Sequence, residues 1–302
     1  MPELPEVETV VRGLRAVLPG RRIMAVRLGK TDFIDDPAAL ERELPGKKIT
    51  TVRRVGKFLL FDLESPDGAT PESSLLVHLG MTGQLMISAP EVPVPAHTHA
   101  FFGLDDGREL RYTDIRRFGR IAFLANGTQQ VALGKLGIEP LEATEEQFVE
   151  KLRGRRARIK SVLLDQHVFR GIGNIYADES LWRAKIHPMQ VAGNFSRKEV
   201  RALHRAVQSV LNEAIRLRGS SVSDYVDADG QRGLFQQRHR VYQREGKKCP
   251  RCGATIRRII VGGRSSHFCP QCQRAPRGTA AGDRGGGGKG SKGGGGSRGR
   301  GG

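Results

Sequence analysis

The chain has 302 residues, enough for two domains, and sets 50 Lys and Arg against 32 Asp and Glu, a formal net charge of +18. That surplus favours a polyanionic partner, nucleic acid or an acidic membrane surface, and by itself argues for binding rather than catalysis. No run of about 18 apolar residues occurs, which excludes a membrane-spanning helix, and the acidic start is unlike a signal peptide. The expectation is therefore a soluble, cytoplasmic protein; a monomer is expected as well.

The first residues are Met1-Pro2-Glu3-Leu4-Pro5-Glu6-Val7-Glu8. With Met1 removed, Pro2 carries a free secondary amine, and Glu3 sets a carboxylate beside it. An α-amino group has a pKa of roughly 7.7–8.0, so part of it is neutral near physiological pH. A neutral secondary amine can attack carbon and leave an iminium, an electron sink. The same residues also read as an ordinary helix start. Pro5 suits the first turn, and Glu6 and Glu8 suit its positive end. Val7, Val10, Val11, Leu14, Val17 and Leu18 follow at helical spacing. On these residues alone both readings stand.

Seven runs then predict strands: Arg22–Leu28, Lys48–Val55, Phe58–Leu63, Ser74–Leu79, His99–Leu104, Arg108–Thr113 and Arg120–Leu124. Asp67-Gly68 and Asp106-Gly107 mark turns between them. Closely spaced strands with such turns predict an antiparallel sandwich or barrel ending near Gly134. From about Glu139 the period becomes helical. Glu145–Leu152 and Arg158–Gln166 are helix candidates, and a third resumes at Ile175 after Arg170-Gly171-Ile172-Gly173-Asn174. Glycines before a helix N-terminus let backbone N–H groups approach an anion, though many such turns only join helices. Ser196 and Glu199 form a capping box that opens a long helix closed by Gly219.

All four cysteines lie near the C-terminus, as Cys249-x2-Cys252, a gap of 16 residues, then Cys269-x2-Cys272. Two such knuckles suit tetrahedral Zn²⁺, and an intracellular chain disfavours the alternative of two disulfides. Four thiolates leave no open position, so one zinc here is structural. Between the knuckles, Ile256–Val261 and Ser265–Phe268 predict a hairpin whose Gly262-Gly263-Arg264 tip carries one Arg. Such an Arg is either solvated or a phosphate finger. From Arg277 to Gly302 the chain is mostly Gly, Arg, Lys and Ser, from which no core can form.

Taken together these motifs resemble the formamidopyrimidine-DNA glycosylase (Fpg or MutM) family. The resemblance runs from Pro2 to about Arg274. It rests on the Pro-Glu-Leu-Pro-Glu-Val-Glu start, His78-Leu79-Gly80-Met81-Thr82-Gly83, Tyr112-Thr113-Asp114-Ile115-Arg116-Arg117-Phe118-Gly119, Gly171-Ile172-Gly173-Asn174-Ile175-Tyr176-Ala177, and the four-cysteine finger. It implies an α+β chain of two domains. An N-terminal antiparallel β-sandwich with a flanking helix fills 1–134, and a helix–two-turn–helix domain fills 135–240. A zinc finger at 241–274 belongs with the second, and 275–302 is a disordered tail. It also implies a bacterial repair enzyme, associated with the nucleoid, that acts on double-stranded damaged DNA. The enzyme flips out and excises oxidised purines, then nicks the abasic site.

Carried over by motif, Pro2 resembles the family nucleophile and Glu3 the general acid, a task that asks for a carboxyl pKa raised by burial. Lys57, on a strand, and Arg264 resemble the residues linked to β- and δ-elimination. His97, Arg116, Arg156, Lys160 and Asn174 look like DNA contacts. Met81, Arg116 and Phe118 resemble the trio that fills the gap left by the flipped base. Ser220–Tyr225, with Val222, Ser223 and Asp224, looks like a loop closing over the lesion. Two alternatives remain: an endonuclease VIII-like glycosylase for oxidised pyrimidines, and a non-enzymatic zinc-containing DNA-binding protein.

Overall fold

Helix α1 (Leu4–Arg15) starts where the sequence predicts, with Pro5 in its first turn. Glu6 Oε2 accepts the Glu3 backbone N–H at 2.8 Å, which satisfies one orphan donor of the first turn. The helix stops at Arg15, short of Leu18: Val17 is exposed, and Leu18 is buried just beyond the helix. The structure, a computed structural model, describes residues 1–66, 73–126, 128–222 and 225–275. The Asp67-Gly68 turn, Ser223, Asp224 and the tail from 276 lie outside the described residues.

Eight strands form two antiparallel sheets. The strands are β1 (Ile23–Leu28), β2 (Lys48–Val55), β3 (Phe58–Glu64), β4 (Ser73–His78), β5 (Gln84–Ser88), β6 (Thr98–Leu104), β7 (Glu109–Thr113) and β8 (Arg120–Leu124). One sheet runs β1-β6-β7-β5, the other β2-β3-β4-β8. β3 shows the period of two expected of a strand covered on both faces. Leu59, Phe61 and Leu63 enter the core between the sheets. Leu60 instead meets Leu76, Ala122 and Leu124 on the outer face, with Leu133 of α3 (Thr128–Leu133) packed against them. β2 and β3 are joined by the turn Gly56-Lys57, with Gly56 at φ +61°. Lys57 thus sits at a hairpin tip, not on a strand as expected, because only a left-handed residue closes so short a connection. β5 and α2 (Pro37–Glu43, capped by Asp36) were not anticipated.

The helical half comprises α4 (Glu145–Leu152), α5 (Ile159–Leu164), α6 (Asn174–Ala184) and α7 (Arg197–Arg216). Ser196 and Glu199 make the predicted capping box on α7. Gly219, at φ +80°, donates its N–H back to Ala214 O at 2.8 Å. β9 (Arg257–Val261) and β10 (Arg264–Phe268) form the finger hairpin. Helix α1 joins the halves. Leu4 packs with Phe148, Leu163, Tyr176 and Phe235 in the helical core. Val7, Val10, Val11 and Leu14, one to three turns on, pack with Phe61, Phe102 and Tyr112 in the sandwich core. Beneath this joint Arg54 bonds Glu8 and Glu139, each at 2.9 Å, and Arg170 reaches the same Glu139 at 3.3 Å.

Candidate active site

A cleft of about 570 Å³ opens where α1, α6 and the finger hairpin converge. Its lining includes Glu3, Lys57, Met81, Asn174, Tyr242 and Arg264. The fold therefore gathers into one cavity residues as far apart as Glu3 and Arg264, including three of the four expected catalytic residues. Met1, which precedes the fourth, Pro2, also lines it.

Glu3 is held by backbone. Its Oε2 accepts the Gly173 N–H at 2.9 Å and its Oε1 the Ile175 N–H at 3.0 Å, at the start of α6. Its own chain is fixed alongside, with the Leu4 N–H donating to Gly171 O at 3.0 Å. This explains the glycine-rich stretch more simply than a phosphate cradle does: the helix N-terminus receives a carboxyl group, and that group belongs to the protein. Gly173 has φ −127°, open to any residue, so its requirement is space. A Cβ there would lie 2.3 Å from the Glu3 carboxyl carbon.

One turn further, Glu6 is fully buried. Burial pushes its pKa up to about 7, and the neighbouring charge of Glu3 adds to the rise. Its Oε1 accepts the Tyr176 hydroxyl and, at 2.7 Å, the Ser220 N–H. The Tyr225 hydroxyl donates to the Glu6 carbonyl at 3.2 Å. Both ends of the expected lesion loop are thus tied to α1, with Ser220 and Tyr225 buried and Val222 exposed. Ser223 and Asp224 fall outside the described residues. Lys57 is nearly buried, and burial pushes its pKa down. Glu3 and Glu6 oppose that shift, and Arg264 adds to it.

The expected DNA contacts divide into two sets. His97, Arg156 and Arg264 are exposed. Met81 and Phe118 are 37 % and 56 % exposed, and the Arg116 guanidinium lies 4.5 Å from the Phe118 ring centre. Lys160 is different. It is 0 % exposed and paired with Asp178, and its Nζ also donates to Asn174 O at 3.2 Å. A direct phosphate contact from Lys160 is closed off, because a buried ammonium needs its carboxylate more than a distant anion. Asn174 itself donates through Nδ2 to Ser265 Oγ at 3.3 Å, while its Oδ1 is buried and has no partner among the described residues.

Several residues that organise this site were not singled out by the sequence: Glu6, Tyr176, Asp114, Asp178 and Glu179. Asp114 accepts from Thr82 Oγ1 (2.5 Å), the Tyr112 hydroxyl (3.1 Å) and the Gly119 N–H (2.9 Å), so it ties together the two loops that carry Met81 and Phe118. Glu179 accepts the N–H groups of Arg240, Val241 and Tyr242. The available signal was spacing: Glu6 lies three residues beyond an N-cap, where a carboxylate returns to the backbone.

In the finger the four cysteine Sγ atoms lie within 4.8 Å of one another. Cys252 and Cys269 are 3.4 Å apart and Cys249 and Cys272 4.0 Å, too far for disulfides. Zinc–sulfur bonds of about 2.3 Å in a tetrahedron place sulfurs about 3.8 Å apart, so the donor set fits one structural Zn²⁺. Among the described residues no helix is long and apolar enough to cross a membrane.

Residues 1–121 match the formamidopyrimidine-DNA glycosylase N-terminal domain, 136–226 the helix–two-turn–helix (H2TH) domain of the same enzyme, and 246–275 the zinc finger found in FPG and IleRS. The formamidopyrimidine-DNA glycosylase of Solibacter usitatus is 46 % identical over 276 residues, covering 91 % of this chain and 100 % of the relative. The chain belongs to the formamidopyrimidine-DNA glycosylase family. That of Pelotomaculum thermopropionicum is likewise 46 % identical, covering 91 % and 99 %. Among solved glycosylases of the family, a Lactococcus lactis variant in complex with Fapy-dG DNA superposes with a TM-score of 0.82 at 37 % identity, covering 91 % of this chain and 100 % of that one. MutM of Thermus thermophilus gives 0.79 at 41 % identity, covering 90 % and 98 %. The protein is thus a DNA-repair glycosylase of α+β architecture, with antiparallel sheets, a helical region and a zinc-binding finger.

Proposed function

We propose that this glycosylase excises oxidised purines, 8-oxoguanine and formamidopyrimidines, through the amine of Pro2, and then cleaves the abasic strand by successive β- and δ-elimination. The observation that carries this reading is the backbone lock on Glu3, which holds the Pro2-Glu3 pair at a cleft shared with Lys57 and Arg264. With Met1 gone, the Pro2 nitrogen bonds to C1′ and the bond from C1′ to the base breaks, the base leaving with the amine proton. Glu3 delivers a proton to the sugar ring oxygen, and the ring opens to an iminium. The iminium acidifies the C2′ proton. Its loss expels the 3′ phosphate, and loss of the C4′ proton then expels the 5′ phosphate. Lys57, with its proton affinity lowered, is suited to take a proton, and Arg264 to neutralise a departing phosphate.

His97, Arg116, Arg156 and Asn174 are assigned to the DNA strands, and Met81, Arg116 and Phe118 to the gap opposite the flipped base. Exposed apolar side chains beside a cleft suit a wedge better than a core. Lys160 serves this interface by fixing Asn174. The loop from Ser220 to Tyr225 covers the lesion. We assign 1–134, 135–240 and 241–274 to the sandwich, the helical unit and the finger, and place the activity in the cytoplasm on chromosomal DNA. The zinc would stiffen the finger and take no part in the chemistry, since four thiolates leave water no position.

Borohydride trapping on an 8-oxoguanine duplex tests the reading. A covalent adduct is expected from the wild type and from neither Pro2→Gly nor Glu3→Gln. Absence of any wild-type adduct, or an adduct mapping to a lysine, would overturn it. A wild-type Lactococcus lactis structure holds an oxidised pyrimidine in DNA, so thymine glycol belongs in the same assay; faster release of that base would move the assignment to oxidised pyrimidines.

A further inference from the structure

The finger hairpin is fastened to one face of α6 by a buried polar seam. Asn174 and Asp178 lie four residues apart and so share that face. Asn174 Nδ2 donates to Ser265 Oγ at 3.3 Å. Asp178 accepts the Ser266 hydroxyl and the His267 backbone N–H, each at 2.9 Å, and lies 3.2 Å from His267 Nδ1. Asp178 is 1 % exposed, Ser266 0 % and His267 6 %, so water does not compete for these bonds. Lys160 neutralises Asp178 and ties it to α5. On the other side of the hairpin tip Gly262 rests on α5, where a Cβ would meet Ser161 Oγ at 2.7 Å. Arg264 lies between these two anchorages, is exposed, and forms no ion pair among the described residues. The seam and the tip contact hold the hairpin on which its guanidinium stands.

We propose that Asp178 is a positioning residue for the second elimination. By fixing the register of β10 on α6 it places Arg264 beside the phosphate leaving from C5′, and so sets the ratio of δ- to β-elimination product. In that step a proton leaves C4′ and the C5′–O bond breaks, with its electron pair departing on the phosphate. Asp178 has this role only if Arg264 acts as proposed above.

The test uses full-length, zinc-loaded protein on an abasic-site duplex, with β and δ ends resolved on one gel. Trapping rate, zinc content and melting temperature are measured in parallel. Asp178→Glu keeps a charge opposite Lys160 while displacing the hairpin, and should lower the δ-to-β ratio about tenfold, a larger factor than any fall in trapping rate. Ser266→Ala leaves the ion pair intact and should lower the ratio about threefold, the loss of one modest hydrogen bond. An unchanged ratio in both variants, or trapping and both eliminations falling in equal proportion with the melting temperature, would overturn the role of Asp178. A wild-type protein that stops after β-elimination would overturn the assigned function as well.

Discussion

Glu3 and Phe118 belong to two parts of the same surface that are built on different terms. At the α1–α6 junction Glu3 is 3 % exposed, and its oxygens are held by backbone N–H groups about 170 residues away in sequence. On the strip of Met81, Arg116 and Phe118 the side chains stand in solvent, with the Arg116 guanidinium over the Phe118 ring. The first part has its geometry fixed before any ligand arrives, at the cost of close tolerances. The second leaves apolar surface uncovered and stores it for a partner. On the proposed roles, chemistry at Glu3 needs sub-ångström placement and a wedge at Phe118 needs only an available surface, so one molecule would carry both solutions.

Four experiments bear on that contrast. The largest effect is expected from zinc removal, since structural zinc sites contribute on the order of 10 kcal/mol of apparent binding free energy. Chelation should unfold the finger, shift the fluorescence of the single tryptophan, Trp182, which packs against Cys249 and Cys269, and abolish binding to a lesion duplex. Full-affinity binding by a verified zinc-free protein would refute the finger's part in holding Arg264. Next is Gly173→Ala, whose methyl would collide with the Glu3 carboxyl group. It should slow borohydride trapping by about 100-fold or more with the fold retained; a near wild-type rate would mean the junction tolerates more slack than its distances imply.

The third is a pH signature. Glu6 is raised from an ordinary 4.5 to about 7, so the folded protein binds more protons than the unfolded chain between those values. The Glu6 contribution is therefore full below about 4.5 and is lost as pH rises through 7, a change on the order of 3 kcal/mol. His78, His187 and His239 are each pushed down to about 4 by burial, and their contribution runs the other way, lost as pH falls below 6.5. The difference in unfolding free energy between wild type and Glu6→Gln isolates the carboxyl. It should decline from pH 4.5 to 7 and be level on either side; a flat difference across that range would remove the raised pKa. The smallest change in stability belongs to Phe118→Ala, within about 0.5 kcal/mol of wild type, while lesion-duplex binding weakens by about 1–3 kcal/mol as stacking is lost. A large drop in melting temperature would place Phe118 in the core after all.

Where the signal was local, the sequence was legible. β2 and β8 occupy the expected residues, as does α4, because alternation and helical period are read within one element. The four cysteines announced their site by spacing. What escaped was polar and buried. Lys160 follows the habit of reading a lysine as surface, although Leu163 and Leu164 at the third and fourth positions on mark its face as apolar. Glu6, Tyr176 and Asp178 find partners in distant segments, and no period reports a hydrogen bond across 170 residues. Lys57 was assigned to a strand because its neighbours are strand formers; Gly56 was the residue to weigh, since its left-handed backbone makes the turn.

The span of those contacts sets a schedule. Glu3 leaves the ribosome almost first, Gly173 comes 170 residues later and Ser220 later still. At roughly 5–20 residues per second that is an interval of about ten to thirty seconds. Once β8 has been made, α1 has the sandwich strands to pack against but still no receiver for Glu3 or Glu6. The Glu3 and Glu6 contacts cannot close until most of the chain has been made, so a chain terminated after β8 but before α6 carries every strand of the two sheets and no receiver for either carboxyl group.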